Sequence, residues 1–283
     1  MGRWQPICIG EPPIVGERAV VSSAESCYKH TAMKIVITGT TSGIGKALAL
    51  YYAQPGVTLG LIGRRQALLT TTATACTTRG ATVVPAALDV RDGAAMRAYA
   101  EQFVMQAQGI DLVIANAGVG EPDDLRSGNA AYHADIFAIN VIGLLNTFLP
   151  FIPQMIQQKS GQLVAIASVA GFRALPGSTT YAATKVAVRA LMEGYGWELR
   201  RHGIATTTIN PGFVVSEMTA HNQFRMPFLV PTDIAAGKIA RAIRRRRRSY
   251  TFPWPMACLA HLLPFIPGAI LGRLTLPGKP SSL

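Results

Sequence analysis

Tyr181 and Lys185 stand four residues apart in Tyr181-Ala182-Ala183-Thr184-Lys185, at the start of a helically patterned stretch. Residues at that spacing share one helix face, so a phenol and an ammonium can enter one pocket. An ammonium beside a phenol favours phenolate and lowers the tyrosine pKa, turning a poor acid or base at neutral pH into a usable one. Upstream, the strand-like run Gln162 to Ala167 ends in Ser168, whose hydroxyl can hydrogen-bond a reacting oxygen. A Tyr-xxx-Lys pair alone is common; the elements that carry it decide whether it does chemistry.

From Lys34 onward, short β-branched runs alternate with longer helical patterns, the signature of βαβ units around a parallel sheet. Strands are expected at Lys34 to Thr38, Thr58 to Ile62, Thr82 to Ala86, Leu112 to Asn116, Gln162 to Ala167, Ala205 to Asn210 and Tyr250 to Phe252. Helices are expected at Gly43 to Ala53, Gln66 to Arg79, Asp92 to Gln108, Ala130 to Gln158, Thr179 to His202 and Thr232 to Arg247. The fold class is therefore α/β: a Rossmann-type doubly wound parallel sheet of about seven strands in a single domain, with ligands bound outside the carboxyl ends of the strands. Residues 1–32 mix Pro, Gly, Ser and charges without periodicity and read as a poorly ordered extension; Met33, just before the first strand, is an alternative start to Met1. The nucleotide-binding domain is expected over 33–252, followed by an apolar tail over 253–283.

Thr38-Gly39-Thr40-Thr41-Ser42-Gly43-Ile44-Gly45 leaves the first strand and opens a helix, the context in which a glycine-rich loop has meaning. Gly39 allows a tight turn, Gly43 lets backbone approach a pyrophosphate, and Gly45 lets the helix pack closely on the sheet. Amides at the helix start, including those of Thr40, Ser42 and Ile44, would face the phosphates. After the second strand, where many dinucleotide sites carry an acid for the ribose hydroxyls, the chain reads Gly63-Arg64-Arg65. Two guanidiniums suit a charge-assisted grip on a 2′-phosphate, so Arg64 and Arg65 point to NADP(H) over NAD(H).

The glycine loop, Asn116-Ala117-Gly118 after the fourth strand, Ser168, Tyr181 and Lys185 together resemble the short-chain dehydrogenase/reductase family, over Met33 to about Phe252. The resemblance implies an NADP(H)-dependent oxidoreductase interconverting a carbonyl and an alcohol by hydride transfer. It makes Tyr181 the general acid/base, Lys185 a ligand of the nicotinamide ribose that lowers the Tyr181 pKa, and Ser168 the group that orients the carbonyl. Asn140 matches the family's fourth catalytic member, which holds a proton-relay water. Asp89, followed by Val90, matches the adenine contact; Pro211, Gly212, Val214 and Ser216 match the loop that meets the nicotinamide amide. Two positions depart from the family pattern, Ala115 in place of an asparagine and Ser216 in place of a threonine, the latter keeping a hydroxyl. By the same resemblance the chain is a homo-oligomer, a dimer or tetramer formed through the helix carrying Tyr181.

Composition narrows the alternatives. The net charge of +12 includes five positive charges in the single run Arg244 to Arg248, which speaks for local rather than nucleic-acid-wide basicity. No metal is expected, since the five histidines have no ligand spacing, and the four cysteines, without paired spacing, fit a reducing cytoplasm. Ser168 lacks a nucleophile elbow, against a serine hydrolase. The acidic group Glu121, Asp123 and Asp124 reads as a solvated turn. Phe213 to Pro231 carries Met218, Phe224, Met226, Phe228 and Leu229 and either closes over an apolar small-molecule substrate or joins the core. Arg244 to Arg248 either complements a helix end or, with the Trp254-bearing tail, makes a peripheral contact with an anionic membrane; the tail otherwise covers the pocket or an interface. A non-catalytic NADPH-binding sensor or scaffold is the remaining functional alternative.

Overall fold

A computed structural model of the protein describes residues 33–120, 122–123, 125–220 and 225–268. The expected N-terminal extension, the end of the tail and the positions Glu121, Asp124 and Phe224 lie outside the described residues. In chain order the main elements are β1 (Lys34–Thr38), α1 (Gly43–Tyr52), β2 (Thr58–Ile62), α2 (Gln66–Thr78), β3 (Thr82–Ala86), α3 (Gly93–Ala107), β4 (Leu112–Ala115), α4 (Ala130–Phe137), α5 (Gly143–Phe148), α6 (Ile152–Gln158), β5 (Gly161–Ile166), α7 (Thr179–Glu198), β6 (Ile204–Pro211), α8 (Glu217–Ala220), α9 (Thr232–Arg244), β7 (Ser249–Phe252) and α10 (Trp254–Leu262).

The strands form one parallel sheet in the order β3-β2-β1-β4-β5-β6-β7, so the winding reverses between β1 and β4. That reversal opens a crevice at the strand ends, where Gly39 and Asn116 lie. Both faces of the sheet are covered, as a parallel sheet requires. Ile35, Ile37, Leu59, Leu61, Ile114 and Val164 enter one apolar cluster, while Val36, Ile62, Val113, Leu163 and Ala165 enter the other. The alternation along each strand is the two-residue period of the pleat, and burial of each large side chain contributes about 1.5–3 kcal/mol. The one glutamine in these central strands, Gln162, is buried and satisfied: its Nε2 donates to Thr207 Oγ1 and to the Ile243 carbonyl.

Strand positions agree with the sequence reading to within a residue at most ends, but the expected single helix Ala130 to Gln158 is interrupted. Residues Ala138–Ile142 widen into a π-helical turn, and the chain breaks again between α5 and α6 around Pro150. Pro150 offers no N–H to the ladder, which accounts for the second break. By length and composition this stretch could cross a membrane; here Leu144, Phe148 and Met155 pack it into the core beside the sheet. The first part of the expected tail is a helix, α10. Only Met256 and Ala260 of α10 are buried, whereas Trp254, Leu259 and Leu262 are exposed. Arg244 to Arg248 precedes β7, and Trp254 follows it at the start of α10.

Helix α1 approaches the sheet closely because Gly45 has no side chain: a Cβ there would stand 2.2 Å from the Gly39 carbonyl oxygen and 2.4 Å from Asn116 Nδ2. Gly45→Ala is expected to lower unfolding free energy by about 1–3 kcal/mol through overpacking, outweighing alanine's better helix propensity. Denaturant unfolding measures this, and an unchanged or raised midpoint would contradict the close approach.

Candidate active site

The crevice is built on hydrogen bonds between the ends of β1 and β4. Thr38 Oγ1 accepts the amides of Asn116 and Ala117 at 3.1 and 3.2 Å, and Asn116 Nδ2 donates to the carbonyls of Thr38 and Gly39 at 3.0 and 3.2 Å. These bonds hold the turn in which Gly39 (φ +71°) and Gly43 (φ +53°) take left-handed backbone that side chains disfavour. Thr40 is tied to the end of β2 through its amide and hydroxyl, both donated to the Ile62 carbonyl, and Ile44 packs on the core. Ser42 is the residue before α1 and makes no side-chain cap to that helix. The loop thus offers a helix start lined by small residues, a cradle that fits a dinucleotide pyrophosphate.

Flanking the loop, Arg65 donates from Nε and Nη2 to Thr41 Oγ1, at 3.3 and 3.1 Å. Arg64 lies 3.6 Å from Asp89, which is gripped more tightly by Arg91. The hydrogen bonds from Arg91 hold the Asp89 carboxyl below its ordinary pKa. Val90 is buried, with its carbonyl accepting from Asn146 Nδ2 at 2.8 Å. On the far side of the crevice, Pro211 ends β6 and the Gly212 amide donates to the Phe252 carbonyl. Val214 pairs with Val230 as an isolated bridge, closing the base of the segment between them. Ser216 reaches back over the glycine loop: a Cβ on Gly43 would meet the Ser216 Cβ at 3.3 Å.

The residues expected to transfer a proton lie around the start of α7. The Ser168 side chain acts to lower the Tyr181 pKa, and Ser168 Oγ accepts the Ala170 amide at 3.1 Å. Lys185 is buried, and its Nζ donates to the Ile166 carbonyl at 3.0 Å. Asn140 sits in the π-helical turn, also buried; its Oδ1 accepts the Val119 amide, and its Nδ2 donates to the Val119 carbonyl and to Thr184 Oγ1. Gly118 completes the cluster, since a Cβ on it would stand 3.0 Å from Asn140 Oδ1 and 3.5 Å from Lys185 Nζ.

Burial raises the Tyr181 pKa above its ordinary value, and the Ser168 side chain acts in the opposite direction. The Lys185 Nζ stands 5.5 Å from the tyrosine ring centroid, and its own burial lowers the lysine pKa to about 8.

Two site residues escaped the sequence reading. Asp123 was taken as part of a solvated turn, but its carboxylate accepts the amides of Thr179 and Thr180, the first residues of α7. It thus caps the helix that begins two residues before Tyr181, from a loop more than fifty residues earlier, and no local pattern signals such a cap. Glu217 also enters the site, pairing with Arg65 at 2.8 Å. The segment Phe213 to Pro231 is anchored in the core at Val214 and Val230, while Met218, Phe228 and Leu229 are exposed, and Met218 Sδ would stand 2.9 Å from a Cβ on Gly120, beside the Tyr181 ring.

With this geometry in view, residues 33–225 match the family model described as short chain dehydrogenase. An uncharacterized oxidoreductase of Myxococcus xanthus is 37% identical over 247 residues, covering 87% of this chain and 96% of its own length. One of Mycobacterium tuberculosis is 32% identical, covering 86% and 97% respectively. Among solved structures, a short chain dehydrogenase/reductase from Burkholderia phymatum in complex with NAD superposes with a TM-score of 0.77 at 25% identity, covering 90% of this chain and all of that one. The chain belongs to the short-chain dehydrogenase/reductase family. It is an NAD(P)-dependent oxidoreductase acting between CH–OH and C=O groups.

Burial alone would raise the Asp123 pKa, but the hydrogen bonds from Thr179 and Thr180 outweigh it and hold the carboxyl below its ordinary value. Its stabilising contribution is therefore fully present above the unfolded-state carboxylate pKa and disappears as pH falls through the lower folded value. Asp123→Ala is expected to cost about 1 kcal/mol near neutral pH and nothing in strong acid. Denaturant titration at several pH values checks this; a cost independent of pH would contradict the cap.

Proposed function

We propose that the enzyme reduces the carbonyl of an apolar small molecule at neutral pH, using NADPH, with Tyr181 as the proton donor. The observation that carries this reading is the convergence of Tyr181 on Gly120 and of Lys185 and Asn140 on Gly118, just past the β4 end that hydrogen-bonds the glycine loop. When bound, NADPH supplies the hydride; the residues of the chain do the rest. Ser168 holds the substrate oxygen and stabilises its developing negative charge. Tyr181 delivers a proton to that oxygen, and its raised pKa keeps the proton in place until it is needed. Lys185, with its ammonium directed into the crevice wall, would hold the ribose of the cofactor, and Asn140 fixes the loop at Val119 against α7.

Cofactor choice follows from charge. The Ser42–Gly45 helix start would take the pyrophosphate, and Arg64, Arg65 and Thr41 would take a 2′-phosphate through charge-assisted hydrogen bonds. The apolar surfaces of Met218, Phe228 and Leu229 supply a wall for an apolar substrate. On α7, Val186 and Trp197 lie exposed along one stripe and suit a homo-oligomer interface.

Tyr181→Phe is expected to lower kcat for carbonyl reduction by about two to four orders of magnitude while NADPH still binds. Steady-state assays with fluorescence titration check this, and near-normal turnover would contradict the assigned role. For the unmodified enzyme, alcohol oxidation is expected to accelerate as pH rises and reduction to slow, because ionisation of a high-pKa phenol favours the base and removes the acid. A direct cofactor titration is expected to give tighter NADPH than NADH binding; the reverse order would contradict the arginine assignment.

A further inference from the structure

Glu217 occupies an unusual place for a carboxylate in a site read as phosphate-binding. It begins α8, in the segment that leaves the base formed by Val214 and Val230. Its Oε2 lies 2.8 Å from Arg65 Nη2, and Arg65, the Ser42 side chain and the Lys46 charge all act to hold its carboxyl below the ordinary pKa. The same Arg65 guanidinium donates to Thr41 Oγ1. One carboxylate thus engages the arginine after β2 that also holds a hydroxyl of the glycine loop, in the field of a lysine on α1. These are the groups a phosphate monoester would seek. They are satisfied here by an acceptor carrying one negative charge rather than nearly two.

The neighbours of Glu217 tie this contact to both ends of the crevice. Ser216 rests against Gly43 of the glycine loop, and Met218 stands beside Gly120 and the Tyr181 ring. The Arg65–Glu217 pair is exposed, with side chains about half accessible, so it is weak enough to exchange.

We propose that Glu217 is a displaceable counter-ion for the 2′-phosphate subsite: it holds Arg65 until the phosphate of NADPH takes its place. This rests on the assignment of Arg65 to the 2′-phosphate made above. A phosphate arriving at Arg65 must break the carboxylate contact and otherwise meets like-charge repulsion, so Glu217 weakens binding of phosphorylated ligands selectively. A ligand without that phosphate leaves the pair intact. Glu217 therefore sets the margin between NADPH and NADH, and its release frees the turn that carries Met218 next to Tyr181.

The test uses the full-length protein and Glu217→Gln, titrated by calorimetry with NADPH, NADH, 2′,5′-ADP and 5′-ADP at low and high salt. The expected result is that NADPH and 2′,5′-ADP bind about two- to fivefold more tightly to the variant, that NADH and 5′-ADP change little, and that the gain shrinks in salt. Unchanged or weaker binding of both 2′-phosphorylated ligands overturns the proposal. Loss of NADH affinity also overturns it, assigning Glu217 to the ribose hydroxyls instead. The cofactor reading is tested separately by Arg65→Ala: if it leaves NADPH binding unchanged, that reading fails and the counter-ion proposal with it, whereas an Arg65→Ala loss of NADPH affinity beside an unchanged Glu217→Gln ratio of 2′,5′-ADP to 5′-ADP affinity overturns the counter-ion proposal alone.

Discussion

Everything in the crevice depends on the hydrogen bonds that tie the end of β1 to the end of β4. At a switch point the crossover helices leave in opposite directions and the two strand ends would otherwise be free to spread. Thr38 and Asn116 close that gap with side chains of complementary reach, the hydroxyl taking two amides and the carboxamide feeding two carbonyls. Because Asn116 Nδ2 lies where a Cβ of Gly45 would be, the same contact sets how near α1 can come to the sheet. Since Gly118 follows on the same chain and abuts Asn140 and Lys185, the bonds also link the phosphate cradle to the proton-transfer cluster.

The second organising element is the start of α7. Its first turn is held by Asp123, its third residue is Tyr181, and Thr184 and Lys185 bond to Asn140 and to the end of β5. The start of α7 is thereby fixed relative to the loop after β4, the π-helical turn and the end of β5. Burial of the phenol there raises its pKa.

Much of this was legible in the residues. The β-branched runs place the strands, because two-sided burial demands nearly continuous apolar side chains, and the glycine spacing marks the crevice since only glycine tolerates the backbone at 39 and 43. Tyr181, Lys185 and Ser168 were readable because helical spacing and a strand end are local properties. What escaped was non-local. Asp123 and Glu217 act on partners far away in sequence, and an exposed-looking acid gives no periodic signal of such a contact. The π-helical turn around Asn140 was hidden inside an otherwise regular apolar pattern, and the depth at which Tyr181 is buried is set by elements far from it in sequence.

The central claim is that one crevice, opened by the Thr38–Asn116 bonds, presents the glycine loop and Tyr181 to the same molecule. A crystal structure of the protein with NADPH measures this most directly. The pyrophosphate is expected over the amides at Ser42 to Gly45, the 2′-phosphate against Arg65, and the nicotinamide between Gly212 and the Tyr181–Ser168 pair. A dinucleotide bound elsewhere, or one whose nicotinamide lies away from Tyr181, would contradict the account.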